Sequence, residues 1–289
     1  MQLDLFEHSR DVMLRHAVID AAWHCDAVAC AAALAGLAAE YPADSLLTDL
    51  EMLCRRLRMH PLPDRLSSEA AASSLENLEG SVESAARRVL GVKAQDWLAP
   101  RWGELARAMV GLPFDPGTES LHAAPSFLRA GAWQEAVASV ATVASWRRQP
   151  VPLGWMIEAR SHLDGVGAVW AMSAELAWMA PTRARQLLMR LPDPLLGKRL
   201  RRFDVEFEES DTAQGFAWFP AWLLIEDGGL AEGLKSAEKT GNTPAELSAR
   251  LVMTLLTLER QGRHAEIVET RRRLQDVNDA LFARYMQSR

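Results

Sequence analysis

Apolar side chains recur every three or four residues along almost the whole chain, and this period limits the possible folds more than any other feature. Val12, Ile19 and Trp23 follow it near the start of the sequence, and Leu251 and Leu255 follow it near the end. An α-helix has about 3.6 residues per turn, so this spacing places the apolar side chains on one face. A strand-like alternation in the stretch 203–207 is short and has no hairpin turn beside it. The sequence therefore predicts an all-α fold.

The size and composition of the chain are sufficient for a large hydrophobic core. The 289 residues are 49% hydrophobic, which favours one elongated or two compact domains and disfavours disorder. The 38 acidic residues against 32 basic ones give a formal charge of -6. A modest acidic excess supplies no general attraction to polyanions, so nucleic acid is disfavoured as a partner.

The cysteines and the apolar segments predict the cellular context. Cys25, Cys30 and Cys54 are too few and too clustered to cross-link a chain of this length, and their spacing differs from that of zinc ligands. We therefore predict reduced thiols packed among alanines. The start of the chain lacks a secretory signal, and the longest apolar run, 27–39, is shorter than the roughly 20 residues that cross a bilayer. We predict a cytoplasmic protein with no membrane partner.

Helix boundaries follow from local chemistry. Thr243 supplies an N-cap hydroxyl, Pro244 suits the first helical position and Glu246 stands where a capping box needs it, so a helix is expected over 244–260. The prolines at 181 and 194 indicate two further helix starts. The apolar periodicity predicts other helices over 10–24, 26–40, 45–58, 69–90, 97–110, 133–146 and 166–179.

Glycine and proline clusters predict the domain organisation. The stretch 113–125 contains several prolines and a glycine, a composition typical of a linker. We predict an N-terminal helical domain over 1–112, a linker over 113–125 and a C-terminal helical domain over 126–289. The irregular stretch 208–215 is expected to form a loop between helices.

A recurring turn pattern suggests paired helices. In the segment 131–137, a glycine is followed by an aromatic residue two positions later and by an alanine five positions later. Glycine supplies the backbone conformation needed past a helix end, and a small residue lets the next helix pack closely. A step of 34 residues from Gly131 reaches Gly165, and the segment 260–268 repeats several residues of 129–137 at the same offsets. Cys25 occupies an equivalent turn near the N-terminus.

This pattern resembles the tetratricopeptide family, whose repeat period is also 34 residues. The resemblance covers about half of the chain, with Cys25 in place of a turn glycine and Trp170 in place of a small residue as departures. It implies antiparallel helical hairpins stacked as an α-solenoid that binds a peptide or protein partner. The alternative is an irregular α-bundle.

The candidate binding residues lie in the C-terminal half. We predict that Trp133, Trp155, Trp218 and Trp222 act as apolar anchors for a partner and that two arginines pair with its carboxylates. These arginines are Arg147 and Arg148. The alternative for the tryptophans is packing in the core, which is the usual position of tryptophan at helical spacing.

Other functional classes are less well supported by the sequence. No nucleophile elbow, zinc-protease motif or phosphate-binding loop is found, so we predict a non-enzymatic protein without catalytic residues, cofactor or metal. One alternative is a regulatory protein that uses basic clusters at 147–148, 198–202 and 271–273 to contact nucleic acid. A second is a metal-dependent enzyme that uses the acidic stretch 204–211, for which a solvated charged face is the simpler interpretation.

Overall fold

The computed structural model describes residues 3–207 and 214–289 and confirms the predicted all-α fold. Helices make up the regular structure throughout, and no strand occurs in these two ranges. The chain divides into two compact units, Met1–Ala132 and Trp133–Arg289. Each unit has its own buried apolar core.

The first unit contains seven α-helices in its described part. The helix predicted over 69–90 is continuous but changes form, because the segment Asn77–Val82 adopts the wider π-helical winding between two α-helical halves. Its apolar side chains Leu75, Leu78 and Val82 are buried on one side. The helices are α1 Leu3–Trp23, α2 Ala27–Glu40, α3 Leu47–Arg58, α4 Ser68–Glu76, α5 Glu83–Leu90, α6 Ala94–Met109 and α7 Ala123–Arg129.

The second unit contains ten further α-helices in its described part. The helix predicted over 133–146 ends at Ala141, and the left-handed backbone of Ser145, with φ 53°, is incompatible with its continuation. The strand-like stretch 203–207 is the end of a helix. The helices are α8 Trp133–Ala141, α9 Pro150–Asp164, α10 Trp170–Met179, α11 Pro181–Leu188, α12 Pro194–Glu206, α13 Phe219–Glu226, α14 Ala231–Leu234, α15 Pro244–Gln261, α16 His264–Val277 and α17 Asp279–Gln287.

The four predicted turns all have a positive φ at a residue just after the end of a helix. The φ angles are 56° at Cys25, 70° at Gly131, 84° at Gly165 and 68° at Gly262. At Gly262 the glycine N–H donates to the last carbonyls of α15, which is the chemistry expected of a C-terminal cap. Cys25 adopts a positive φ despite its side chain.

The start of α15 follows the predicted capping chemistry with one difference. The Thr243 hydroxyl accepts a hydrogen bond from the Glu246 N–H at 3.2 Å, and Pro244 occupies the first turn. The Glu246 carboxylate accepts hydrogen bonds from the N–H groups of Thr240 and Asn242, both at 3.1 Å. The Glu246 side chain therefore links the loop before α15 to the helix.

The proline-rich stretch predicted as a linker lies inside the first unit. It contains a short 3₁₀ turn at Glu119–Leu121 and leads into His122, which is only 3% exposed. The His122 Nδ1 accepts a hydrogen bond from the Ala124 N–H, and its imidazole meets the Phe114 ring edge-on at 6.2 Å between centroids. His122 therefore caps α7 from a buried position.

We expect His122 to make the stability of the protein sensitive to mild acid. Burial lowers the pKa of His122 below its ordinary value near 6.5. Its contribution is therefore fully present above about pH 6.5 and is lost as the pH falls towards the folded-state pKa. His122→Asn retains a capping oxygen but does not titrate, so its urea midpoint should vary less between pH 5 and 7 than that of the wild type. Equal variation in both proteins would contradict this role.

The prediction of three reduced thiols is wrong for two of the cysteines. Cys30 on α2 and Cys54 on α3 form a disulfide, with Cα atoms 5.9 Å apart, while Cys25 is free and exposed. Their 24-residue separation in sequence gave no indication of contact. The pairing arises because α2 and α3 pack against each other in the core of the first unit.

Candidate functional site

A groove between α2 and α3 is a candidate binding surface among the described residues. Its volume is about 600 Å³. Each helix contributes residues at positions i, i+3, i+4 and i+7, which share one helical face. The lining residues are Ala31, Leu34, Ala35 and Ala38 from α2, Glu51, Cys54, Arg55 and Arg58 from α3, and the following Met59.

The groove remains open because the other faces of α2 and α3 face the core. Cys30 and Leu37 of α2 and Leu50 of α3 are fully buried in a cluster with residues of α1. At the N-terminus of α2, Asp26 accepts hydrogen bonds from the second and third N–H groups of the helix. Asp44, in the turn before α3, pairs with Arg15 of α1 at 2.6 Å. These contacts hold the two walls in place.

The floor of the groove consists mainly of small apolar side chains. Ala35 is exposed, Ala31 and Ala38 are half-buried, and Leu34 is half-buried beside them. At the ends, Met59 is 52% exposed, and Val28, one helical turn before Ala31, is 81% exposed. A floor of small side chains accommodates larger apolar groups from a binding partner.

The rim of the groove carries two arginines without a carboxylate partner among the described side chains. Arg55 and Arg58 are exposed, and neither forms an ion pair with the side chains of residues 10–207 or 214–289. By contrast, Arg56 pairs with Glu104 at 3.3 Å, and Arg88 pairs with Asp49. The rim also carries the exposed carboxylate of Glu51, one turn before Arg55, so its side chains have a net positive charge of one that is available to an acidic partner.

The four predicted tryptophans have different environments, all in the second unit. Trp155 is 9% exposed and Trp222 is 1% exposed, so both are core residues and neither presents a surface to a partner in this structure. The Trp222 ring packs against Phe203 at 5.5 Å. Trp218 and Trp133 are half-buried, and Trp133 stacks on exposed His162 with centroids 3.9 Å apart. The core interpretation therefore describes Trp155 and Trp222.

The two predicted arginines are part of an internal ion-pair network. Arg147 makes two hydrogen bonds to the fully buried Glu175 carboxylate, at 2.8 and 2.7 Å, and these raise the pKa of Arg147 above its ordinary value. Arg148 is exposed, and its Nε lies 3.8 Å from Glu238. The Glu238 N–H also donates to Glu175 at 2.7 Å. Arg147 is thus already occupied by an internal carboxylate.

A second buried carboxylate, Glu246, continues this network. Glu246 is 1% exposed and accepts two hydrogen bonds from Arg250, at 2.9 and 2.7 Å. Burial alone would raise the pKa of Glu246, but the hydrogen bonds from Arg250 and Thr240 outweigh it and leave the pKa below its ordinary value. Glu175 and Glu246 together hold the irregular segment 235–243 against α10 and α15.

A concavity of about 720 Å³ between α15 and α16 is a weaker candidate. The hydroxyls of Thr254, Thr257 and Thr270 each donate to a carbonyl one turn earlier in their own helix. Arg263 pairs with Glu266 at 2.5 Å. The concavity thus presents side chains that largely satisfy one another.

The basic clusters of the second unit are partly paired with described acidic side chains, and in the cluster 271–273 only Arg271 is, with Glu259 at 3.6 Å. Arg199 pairs with Asp227 at 2.5 Å, and Arg202 pairs with Glu226 at 2.7 Å. Of the acidic stretch 204–211, Asp204 pairs with Arg185 and Glu206 with Arg284, while 208–211 lie outside the described residues. Nowhere in the described residues are three His, Cys, Asp or Glu side chains grouped to hold a metal ion.

The α2/α3 groove was not predicted from the sequence, although the composition of α2 was a signal for it. The run 27–39 contains no charged residue, so α2 has no strongly polar face to direct towards water. A helix that is apolar all round is buried on every side or leaves an apolar face for a partner. The second arrangement applies to α2 in the first unit.

Comparisons with known proteins give no family for this chain. It matches no family of protein domains, no curated protein and no solved structure. None of the helices in the described ranges has both the length and the apolar character required to cross a membrane.

Proposed function

We propose that this protein is a non-enzymatic helical scaffold that binds an acidic amphipathic helix of a partner protein in the α2/α3 groove. The observation that carries the proposal is the combination of an alanine-rich floor with two unpaired arginines, Arg55 and Arg58, on the rim. Recognition of an amphipathic helix in an apolar groove is a common mode of peptide binding.

The geometry of the groove defines the chemistry of the partner. Because Ala31, Ala35 and Ala38 are small, the partner supplies large apolar side chains at one helical face. Arg55 and Arg58 are three residues apart, so their side chains are neighbours on α3. Two carboxylates separated by one turn on the partner helix can pair with both arginines. The backbone hydrogen bonds of both helices are already satisfied, so side chains provide the affinity.

The tetratricopeptide-like arrangement remains part of this proposal. Its support is the positive φ at the four turn positions singled out by the resemblance, Cys25, Gly131, Gly165 and Gly262. The cytoplasmic location is likewise a prediction, and the Cys30–Cys54 bond weighs against it because disulfides persist mainly in oxidising compartments. The ion pairs of Arg199 and Arg202 reduce the support for a nucleic-acid surface.

The first test is selection from a displayed library of helical peptides. The wild-type protein is the target, and the Arg55→Glu, Arg58→Glu double variant is used for counter-selection. We expect enriched peptides to carry large apolar residues on one face and two carboxylates one turn apart. Absence of enrichment over the double variant would overturn the proposal.

The affinity of a selected peptide provides the quantitative prediction. Arg55→Glu with Arg58→Glu should weaken binding at least about tenfold, because it replaces two attractive charge pairs by repulsive ones. The matched control is Arg65→Glu with Arg107→Glu, which makes the same change in net charge at exposed arginines outside the groove. Fluorescence anisotropy at two salt concentrations measures both. An equal loss in the control would show that general electrostatics, rather than the groove, binds the peptide.

A further inference from the structure

The single disulfide of the described structure joins the two walls of the groove. Cys30 lies in the first turn of α2, and Cys54 lies on the α3 face that lines the groove. Both residues are buried, with 0% and 2% of their surface exposed. We propose that opening and closing of this bond by thiol–disulfide exchange regulates partner binding in the groove. This inference rests on the proposed function of the groove.

Reduction would change the groove without unfolding the first unit. Val18, Ala22, Leu37 and Leu50 are fully buried and hold α1, α2 and α3 together independently of the bond. Two free thiols cannot remain at bonding distance, so the sulfur atoms separate and the walls gain freedom where Cys54 meets the groove. Partner binding then has to order the walls, which costs conformational entropy. The disulfide lowers this cost because it holds the walls in place before the partner binds.

The reductant in the exchange reaction is a dithiol. The bond is buried, so the reductant reaches it when the two walls separate locally. One thiolate of the dithiol then attacks the Cys54 sulfur, the sulfur on the groove side, and the Cys30 thiolate leaves and takes up a proton. The second thiolate of the dithiol then attacks the dithiol sulfur of the mixed disulfide. This step forms the disulfide of the reductant and releases the Cys54 thiolate. Two electrons reduce the protein bond, and the dithiol is oxidised. Closing is the reverse exchange, in which the disulfide of the oxidised dithiol accepts the two electrons of the Cys30 and Cys54 thiols.

Cys25 complicates any measurement of this bond because it is a free and exposed thiol. Its sulfur lies 3.4 Å from the Arg101 guanidinium. An exposed free thiol can form other disulfide pairings during reduction and reoxidation. Cys25→Ser is therefore the background for the experiment, which uses the full chain.

The experiment compares the affinity of a selected acidic helical peptide for the oxidised and the dithiothreitol-reduced Cys25→Ser protein. Mass measurement after alkylation confirms each redox state, and circular dichroism confirms the helix content. We expect reduction to weaken binding about tenfold. The control variant, with Cys30→Ala and Cys54→Ala in the same background, should bind as weakly as the reduced protein and should not respond to dithiothreitol.

The outcomes separate this inference from the proposed function. Equal affinity in the two redox states would overturn the regulation and leave the groove as a binding site. A bond that resists dithiothreitol in the folded protein would also overturn it, because the disulfide would then be purely structural. Absence of peptide binding in both states would overturn the proposed function together with this inference.

Discussion

Replacing Trp222 with alanine is expected to destabilise the protein by about 3–5 kcal/mol, the cost typical of removing a buried aromatic side chain. Trp222 is 1% exposed, and its ring packs against Phe203 and Phe219 with centroids 5.5 and 6.2 Å apart. The cavity left by the indole cannot be filled by these rigid neighbours. Thermal unfolding followed by circular dichroism should show a loss of roughly 10 °C in Tm.

Two other variants distinguish core packing from a partner-binding role. Trp222→Phe keeps an aromatic ring and removes an indole N–H that has no hydrogen-bond partner, so its loss should be much smaller. Trp133→Ala removes a half-buried ring that stacks on His162, and a loss of about 1 kcal/mol is expected. A Trp222→Ala protein that melts at the wild-type temperature would show that this description of the core is incorrect.

Removal of the Glu246 carboxylate should have the second large effect. Glu246→Ala leaves Arg250 and the N–H groups of Thr240 and Asn242 without their acceptor. Breaking a buried ion pair on one side costs about 3–5 kcal/mol, and partial exposure of the Arg250 side chain, 30%, lowers our expectation to about 2–4 kcal/mol. Urea unfolding at pH 7 measures this loss.

The pH dependence of the same variant checks the cause. Because the pKa of Glu246 is below its ordinary value near 4.3 in the folded state, its contribution is present above about pH 4.3 and is lost as the pH falls through the folded-state pKa. Glu246→Ala should therefore lose less stability than the wild type on acidification. Glu238→Ala is the control, since Glu238 is 45% exposed and its ion pairs are 3.8 Å long. A loss of stability at pH 7 in Glu238→Ala comparable to that in Glu246→Ala would show that the effect does not come from the buried carboxylate.

Features that depend on local chemistry could be predicted from the sequence. The turn at Gly262 and the start of α15 at Pro244 follow from backbone conformation and capping within a few residues. The prolines at 181 and 194 mark the starts of α11 and α12 for the same reason. The all-α class follows from the helical period alone.

Features that depend on packing between distant segments could not be predicted in this way. The burial of Trp155 and Trp222 depends on which helices meet, and the helical period of their segments does not determine this. The pairing of Cys30 with Cys54 and the charge partner of Arg147 also depend on contacts across more than 20 residues. The α2/α3 groove was not predicted, because its lining residues lie on two different helices.

The segment 235–243 has no regular structure, yet its backbone is held by buried carboxylates. The N–H group of Glu238 donates to Glu175, and the N–H groups of Thr240 and Asn242 donate to Glu246. Irregular segments usually open first in a folded protein and exchange their amide hydrogens fastest. Here opening would expose two buried charges. We therefore expect these three amides to be protected from hydrogen exchange and the segment to unfold cooperatively with α10 and α15.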